Sequence, residues 1–273
     1  MRRRHSRKSS GSPVRRHSLN RLALARTRNL FDPISSKPYK ISRSKIELFQ
    51  KCPRCFYLDR RLGIGQPSGP PFTLNSAVDS LLKREFDAYR QRGEPHPLML
   101  AHGIDAVPFQ HDQLETWRSN FVGVQSLHPD TNFLLYGAVD DLWVDRRGVL
   151  FVVDYKATST EKQISLDDPW KAAYKRQMEF YQYLLRRCGF EVHDTGYFVY
   201  VNGLKNEESF GSALRFSTHL LPYTGSDDWV DRTIEAARQC LAAHAPPQPS
   251  DSCEWCRYRR EALAVEATLA EEP

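Results

Sequence analysis

One strand–turn–strand unit with acids at matching positions constrains this chain more than any other feature. Residues 133–159 read FLLYGAVDDLWVDRRGVLFVVDYKATS. Two apolar segments, 133–145 and 149–157, are predicted as central strands, with Asp145-Arg146-Arg147-Gly148 as the polar turn between them. Such a hairpin can bring Asp140 and Asp154, 14 residues apart, to one end of a sheet. Lys156 lies two residues beyond Asp154 and so shares its strand face. Two carboxylates beside an ammonium can hold a divalent ion and a water, an arrangement that points to metal-dependent phosphodiester hydrolysis. Mg²⁺ or Mn²⁺ requires hard oxygen ligands. Asp140, Asp154 and the backbone carbonyl of Tyr155 are the candidates, and Lys156 is placed to orient the water or to neutralise charge on the phosphate. Asp141 competes with Asp140 for the ligand role, but neighbours on a strand point to opposite faces. Asp-x-Lys alone more often marks a surface ion pair or a turn. Here the aspartate sits among Phe151, Val152, Val153 and Tyr155, where a charge needs a partner.

The formal charge of +6 is unevenly placed. Residues 1–40 hold 12 Lys and Arg against one acid, Asp32, a net of +11, so the remainder carries 27 basic and 32 acidic residues, a net of −5. The first 40 residues therefore read as a disordered basic tail. It would add nonspecific attraction to nucleic acid, resembles a transit peptide in composition, or is simply solvated. The other 233 residues suffice for one sizeable core, read as a domain over 41–260 followed by a tail over 261–273. No apolar run approaches the roughly 18 residues of a membrane span, and no secretion signal is visible. No membrane association and a cytoplasmic location are the expectation.

Ser44-Lys45-Ile46-Glu47 reads as a capping box opening a short helix. A Gly/Pro-rich break spans 63–71, and Thr73 to Arg90 has helical periodicity. Helices are also expected over 170–187, ended by Gly189, and over 227–244, with strands at 196–202 and 214–221. This order predicts an α/β fold with a mixed central sheet flanked by helices.

Gly137-x-x-Asp140, 13 intervening residues, then Asp154-Tyr155-Lys156 resembles the PD-(D/E)XK nuclease superfamily, in particular its RecB-like branch. After 20 further residues, Gln177-Met-Glu-Phe-Tyr181 looks like that branch's Gln-x-x-x-Tyr motif. Spacing of four puts Gln177 and Tyr181 on one helix face. The resemblance implies a restriction-endonuclease-like core and metal-dependent DNA cleavage in repair, recombination or defence, with Gln177 and Tyr181 positioning DNA and the active-site groups. The plainer reading packs Tyr181 in the core and exposes Gln177. The branch often carries a histidine in an upstream helix; Asp79 stands there, either as a further metal ligand or as a solvated helix residue. Degenerate members exist, so the alternative is a catalytically silent nucleic-acid-binding module. A further alternative is a structural zinc protein whose acids only form ion pairs. No helicase motif is present, so unwinding would fall to a separate helicase or repair partner.

Six cysteines remain. Cys188 and Cys240 are expected as isolated thiols on helices. Cys52-x-x-Cys55 and Cys253-x-x-Cys256, with 197 residues between them, match a soft-metal site, zinc or an iron–sulfur cluster. AddB-type and CRISPR-associated exonucleases resemble this chain in having a cysteine before the core and several after it. That resemblance implies a 4Fe–4S cluster stapling the termini, with zinc as the alternative. Those relatives place three cysteines downstream, whereas this chain has none near Ala262, and Cys55 would make a two-plus-two site.

Overall fold

The computed structural model describes residues 26–271. Among these, the chain runs β1 (Tyr39–Ser42), α1 (Arg43–Lys51), α2 (Pro53–Leu62), α3 (Thr73–Arg92), α4 (Pro97–Ala101), β2 (Ala106–Pro108), α5 (Leu114–Trp117), β3 (Val124–His128), β4 (Phe133–Gly137), β5 (Asp141–Asp145) and β6 (Leu150–Thr158). It continues through a 3₁₀ turn (Pro169–Lys171), α6 (Ala172–Arg187), β7 (Thr195–Gly203), β8 (Phe216–Thr224), α7 (Val230–Ala242) and α8 (Glu254–Glu271). The architecture is the expected mixed α/β, consistent with a restriction-endonuclease-like core, but the strands form two mixed sheets, β1-β4-β3 and β2-β5-β6-β7-β8. Among the described residues, no helix is long and apolar enough to cross a membrane.

β6 is the axis of the larger sheet. It pairs antiparallel with β5, with Asp141 opposite Val153, and parallel with β7, with Asp154 opposite Phe198. The parallel step needs a crossover, supplied by α6. Alternation along β6 divides its side chains. Leu150 and Val152 join Leu142, Phe180, Leu184 and Phe198 in one apolar cluster on the α6 side. Val153 and Tyr155 join Phe86, Trp143 and Val199 in another, on the α3 side. Helices cover both faces, so the strand reads as a near-continuous apolar run.

The expected strand over 133–145 is interrupted at residues 138–140, and its halves lie in different sheets. The backbone there is satisfied locally instead of by a ladder: Val139 N–H donates to the Trp117 carbonyl (3.1 Å), and Arg118 Nε to the Asp140 carbonyl (3.1 Å). Beyond the break, Asp141 is fully buried. Its carboxylate receives Arg90, Arg118 (3.2 Å), the Tyr155 hydroxyl (2.7 Å) and its own neighbour's N–H from Leu142 (2.9 Å). A buried carboxylate is tolerated when so fully paired, and this one ties α3 and the end of α5 to β5.

Several local expectations change. Ser42, not Ser44, is the N-cap of α1, and Glu47 faces Arg176 of α6 in a bidentate pair (2.7 and 2.9 Å) instead of closing a capping box. Residues 1–25 of the expected tail lie outside the described residues, but within 26–40, where most residues are exposed, the chain is tied to the fold and Phe31 is buried. Arg26 N–H donates to the Gly63 carbonyl (2.9 Å) and Phe31 N–H to Arg60 (2.8 Å), while the buried Phe31 ring meets Tyr39 and Phe133 edge-on. At the other end, residues 261–271 continue α8. Cys188 caps α6 and is exposed; Cys240 is half-buried on α7.

Candidate active site and metal centre

Asp140 occupies the strand break, so its side chain is free of the ladder. Its Oδ2 accepts the Tyr155 N–H at 2.9 Å, across the flank of β6 that β5 leaves unpaired beyond Asp141. In an extended strand the N–H and C=O of one residue share a flank, so the Tyr155 carbonyl is aimed to the same side. Asp154 is fully buried on the α6 face of β6. Its Oδ1 accepts Gln177 Nε2 (2.8 Å), and its Oδ2 is paired with the Lys156 ammonium. Gln177 Nε2 also reaches the Tyr181 hydroxyl (3.1 Å). The Lys156 ammonium lies over the Tyr174 ring, 4.6 Å from its centroid.

Burial pushes the Asp154 carboxyl up to about 6, opposed by the Lys156 ammonium and reinforced by the charge of Asp140. Lys156 is itself desolvated, but Asp154 and Asp140 outweigh that and hold its pKa above the ordinary lysine value. Both acids thus act on the Lys156 ammonium, at the edge of a cleft of about 310 Å³ lined by Asp79, Lys83, Asp140, Tyr155, Lys156 and Tyr174.

Four sequence candidates thus meet directly: Asp154, Lys156, Gln177 and Tyr181. Asp140 and the Tyr155 main chain stand beside them. The Tyr181 ring is buried, as the plainer reading expects, while its hydroxyl reaches Gln177, which is half-buried. Gly137 explains the fit: a Cβ there would lie 2.5 Å from Tyr181 Cε1. Gly137→Ala is accordingly expected to cost about 1–3 kcal/mol, read by urea unfolding, and to displace the Tyr181 hydroxyl from Gln177.

Asp79 behaves otherwise. It lines the cleft but is bound by Lys83 at 2.9 Å, one helical turn on, and Lys83 reaches on to Asp140 at 3.6 Å. Among the described residues, Asp79, Asp140 and Asp154 do not form a group of carboxylates close enough to surround one ion. The hard donors that fit a divalent cation are the Asp140 and Asp154 carboxylates and the Tyr155 carbonyl. Buried Asp154 Oδ2, for which the Lys156 ammonium is the one partner among the described residues, is the oxygen such an ion would contact.

Three basic residues escaped sequence reasoning. Lys83 carried a signal in its i,i+4 spacing from Asp79. Arg118, which holds the Asp140 carbonyl and the Asp141 carboxylate, carried none. Neither did Arg43, whose Nε is buried without a partner and whose charge acts on Asp154 and Tyr181.

A comparison with protein families matches residues 40–260 to the PD-(D/E)XK nuclease superfamily. The chain belongs to this superfamily. No curated protein matches it. Its members are typically metal-dependent nucleases, and the matched span contains the acidic corner and both cysteine pairs. In this nuclease-family chain the sulfurs of Cys52, Cys55, Cys253 and Cys256 all lie within 4.8 Å of one another, and the four together can hold a metal ion. Cys52, just ahead of α2, and Cys55, on it, are buried; Cys253, just ahead of α8, and Cys256, on it, are half-buried. The join is reinforced by Tyr57 Oη donating to the Ala243 carbonyl (3.1 Å) and Arg54 to the Pro247 carbonyl (3.2 Å).

Proposed function

We propose that this chain is a Mg²⁺- or Mn²⁺-dependent DNA nuclease of the RecB-like type, acting in repair, recombination or defence. The observation that carries this reading is the buried Asp154 carboxylate held between Lys156 and Gln177, with Asp140 beside it. A surface ion pair would not be built this way. A divalent cation at these oxygens would supply an activated water and offset charge on the phosphate. Asp140, Asp154 and the Tyr155 carbonyl would hold it. Gln177 fixes the rotamer of Asp154, and Tyr181 fixes Gln177. Lys156 carries a permanent positive charge into the cleft, toward the nonbridging oxygens of a phosphodiester. Asp79 keeps Lys83 at the cleft wall, where its ammonium can meet the next phosphate along a strand.

One observation favours the catalytically silent nucleic-acid-binding module instead: the Lys83 ammonium lies near Asp140, where it competes with a cation. Incubating labelled single- and double-stranded DNA with Mg²⁺ or Mn²⁺ separates the two. The nuclease reading expects cleavage that EDTA abolishes and Lys156→Ala removes. Binding without cleavage of any substrate would establish the silent module. Gln177→Ala and Tyr181→Phe are expected to slow cleavage by about 10- to 100-fold, the range for residues that orient metal ligands, with little change in the unfolding midpoint. A large loss of stability with unchanged turnover per folded molecule would return both residues to a packing role.

A further inference from the structure

The two Cys-x-x-Cys units fold alike. Cys52 precedes Pro53, the first residue of α2, and its carbonyl accepts the Phe56 N–H at 3.0 Å. Cys253 precedes Glu254, the first residue of α8, and its carbonyl accepts the Arg257 N–H, also at 3.0 Å. Each unit therefore sets one cysteine at a helix cap and the other in the first turn, and two positive helix ends converge on four sulfurs.

The spacing of those sulfurs decides what fits among them. Across the units, Cys52–Cys256 is 3.8 Å, Cys55–Cys253 is 3.6 Å and Cys55–Cys256 is 3.6 Å. No pair exceeds 4.8 Å. Four thiolates each about 2.3 Å from one tetrahedral ion are separated by about 3.8 Å, since a tetrahedron's edge is about 1.6 times its centre-to-corner length. A 4Fe–4S cluster places each thiolate on its own iron, so the edge grows with the iron–iron distance, to roughly 6 Å. The observed cage matches the first value and falls short of the second on every edge. Opening it would part α2 from α8 and expose Cys52 and Cys55, now 1% and 6% exposed.

From this we infer that Cys52, Cys55, Cys253 and Cys256 hold a single tetrahedral zinc ion, and that the cubane implied by the RecB-like resemblance does not fit this chain. The inference rests on the four cysteines being a metal site at all. Zinc is preferred over a lone iron because the Irving–Williams order ranks it above iron(II) for the same ligands. A zinc ion with four thiolates carries two net negative charges. Both helix N-termini offset them, as do Arg54, Arg259 and Arg260, which line the cleft beside Cys256.

The full chain should be purified without oxygen from iron-replete cells and assayed for metals, acid-labile sulfide and visible absorbance. One zinc per chain, no sulfide and a colourless protein are expected, with zinc-edge absorption fitting four sulfurs at about 2.3 Å. Reconstitution with iron and sulfide should leave the zinc in place. Cys188, being exposed, should alkylate at once, while the quartet should react only after chelation. Four irons with sulfide, isolated or formed in stoichiometric yield on reconstitution, would overturn the single-ion site and leave the metal staple standing. One iron without sulfide would overturn zinc alone. A metal-free chain whose six thiols alkylate together would remove the metal site itself.

Discussion

Asp154→Asn is expected to cleave DNA at least about 10³-fold more slowly than the parent chain, comparable to deleting the strongest single electrostatic contributor at an active site. It is also expected to lose the rise in thermal midpoint that the proposed site predicts for the parent with Mn²⁺. The argument starts from burial. Asp154 is wholly enclosed, and burial lifts its carboxyl to about 6, with Lys156 opposing and Asp140 adding to the rise. For an acid with a raised folded-state pKa, the sign is unfavourable: in the cation-free chain this group costs stability progressively as pH rises from 3.8 through about 6. A cation ligated there reverses that cost and stabilises the fold by binding only the native state. Asparagine keeps an acceptor for Gln177 but removes the charge, so activity and the Mn²⁺-induced shift should vanish together. Cleavage surviving in the variant, or an undiminished Mn²⁺ shift, would move the metal site elsewhere.

Cys256→Ser is expected to lower the thermal midpoint by at least about 10 °C. Structural metal sites contribute many kcal/mol to folding, and in a chain this size each kcal/mol moves the midpoint by about 2–4 °C. Cys256 lies 3.8 Å from the Cys52 sulfur and 3.6 Å from that of Cys55, across the join, so its loss breaks the link between α2 and α8 and not merely one ligand bond. Differential scanning calorimetry of parent and variant, each with and without chelator, reads the effect. Equal midpoints in all four samples would mean that the sulfurs only pack against one another. Cys188→Ser, on the exposed end of α6, is the control and should change nothing.

The acidic corner was legible because its parts are local or periodic. A hairpin relates Asp140 to Asp154, a two-residue step relates Asp154 to Lys156, and a helical turn relates Gln177 to Tyr181. The cysteine quartet was legible through its repeated spacing, although only the measured sulfur distances bear on which metal fits. What stayed hidden depends on distant pairing. Arg118 acts on Asp140 and Asp141 from 22 and 23 residues away, out of a segment with no periodicity to mark it. The division of the long strand at residues 138–140 depends on that same arginine and on the Trp117 carbonyl, neither of which a propensity argument can see. Phe31 was masked by averaging: a stretch with a net of +11 reads as unable to fold, yet one aromatic ring placed between Tyr39 and Phe133 suffices to pin its end.

The pairing of Cys52 and Cys55 with Cys253 and Cys256 also sets an order of events on the ribosome. Lys156 is made 97 residues before Cys253. At about 5–20 residues per second, the acidic hairpin emerges roughly 5–20 s before the chain can close around a metal. During that interval the first cysteine pair has only half of its ligands. A nascent protein of this kind would have its acidic hairpin translated well before the cysteines that join α2 to α8.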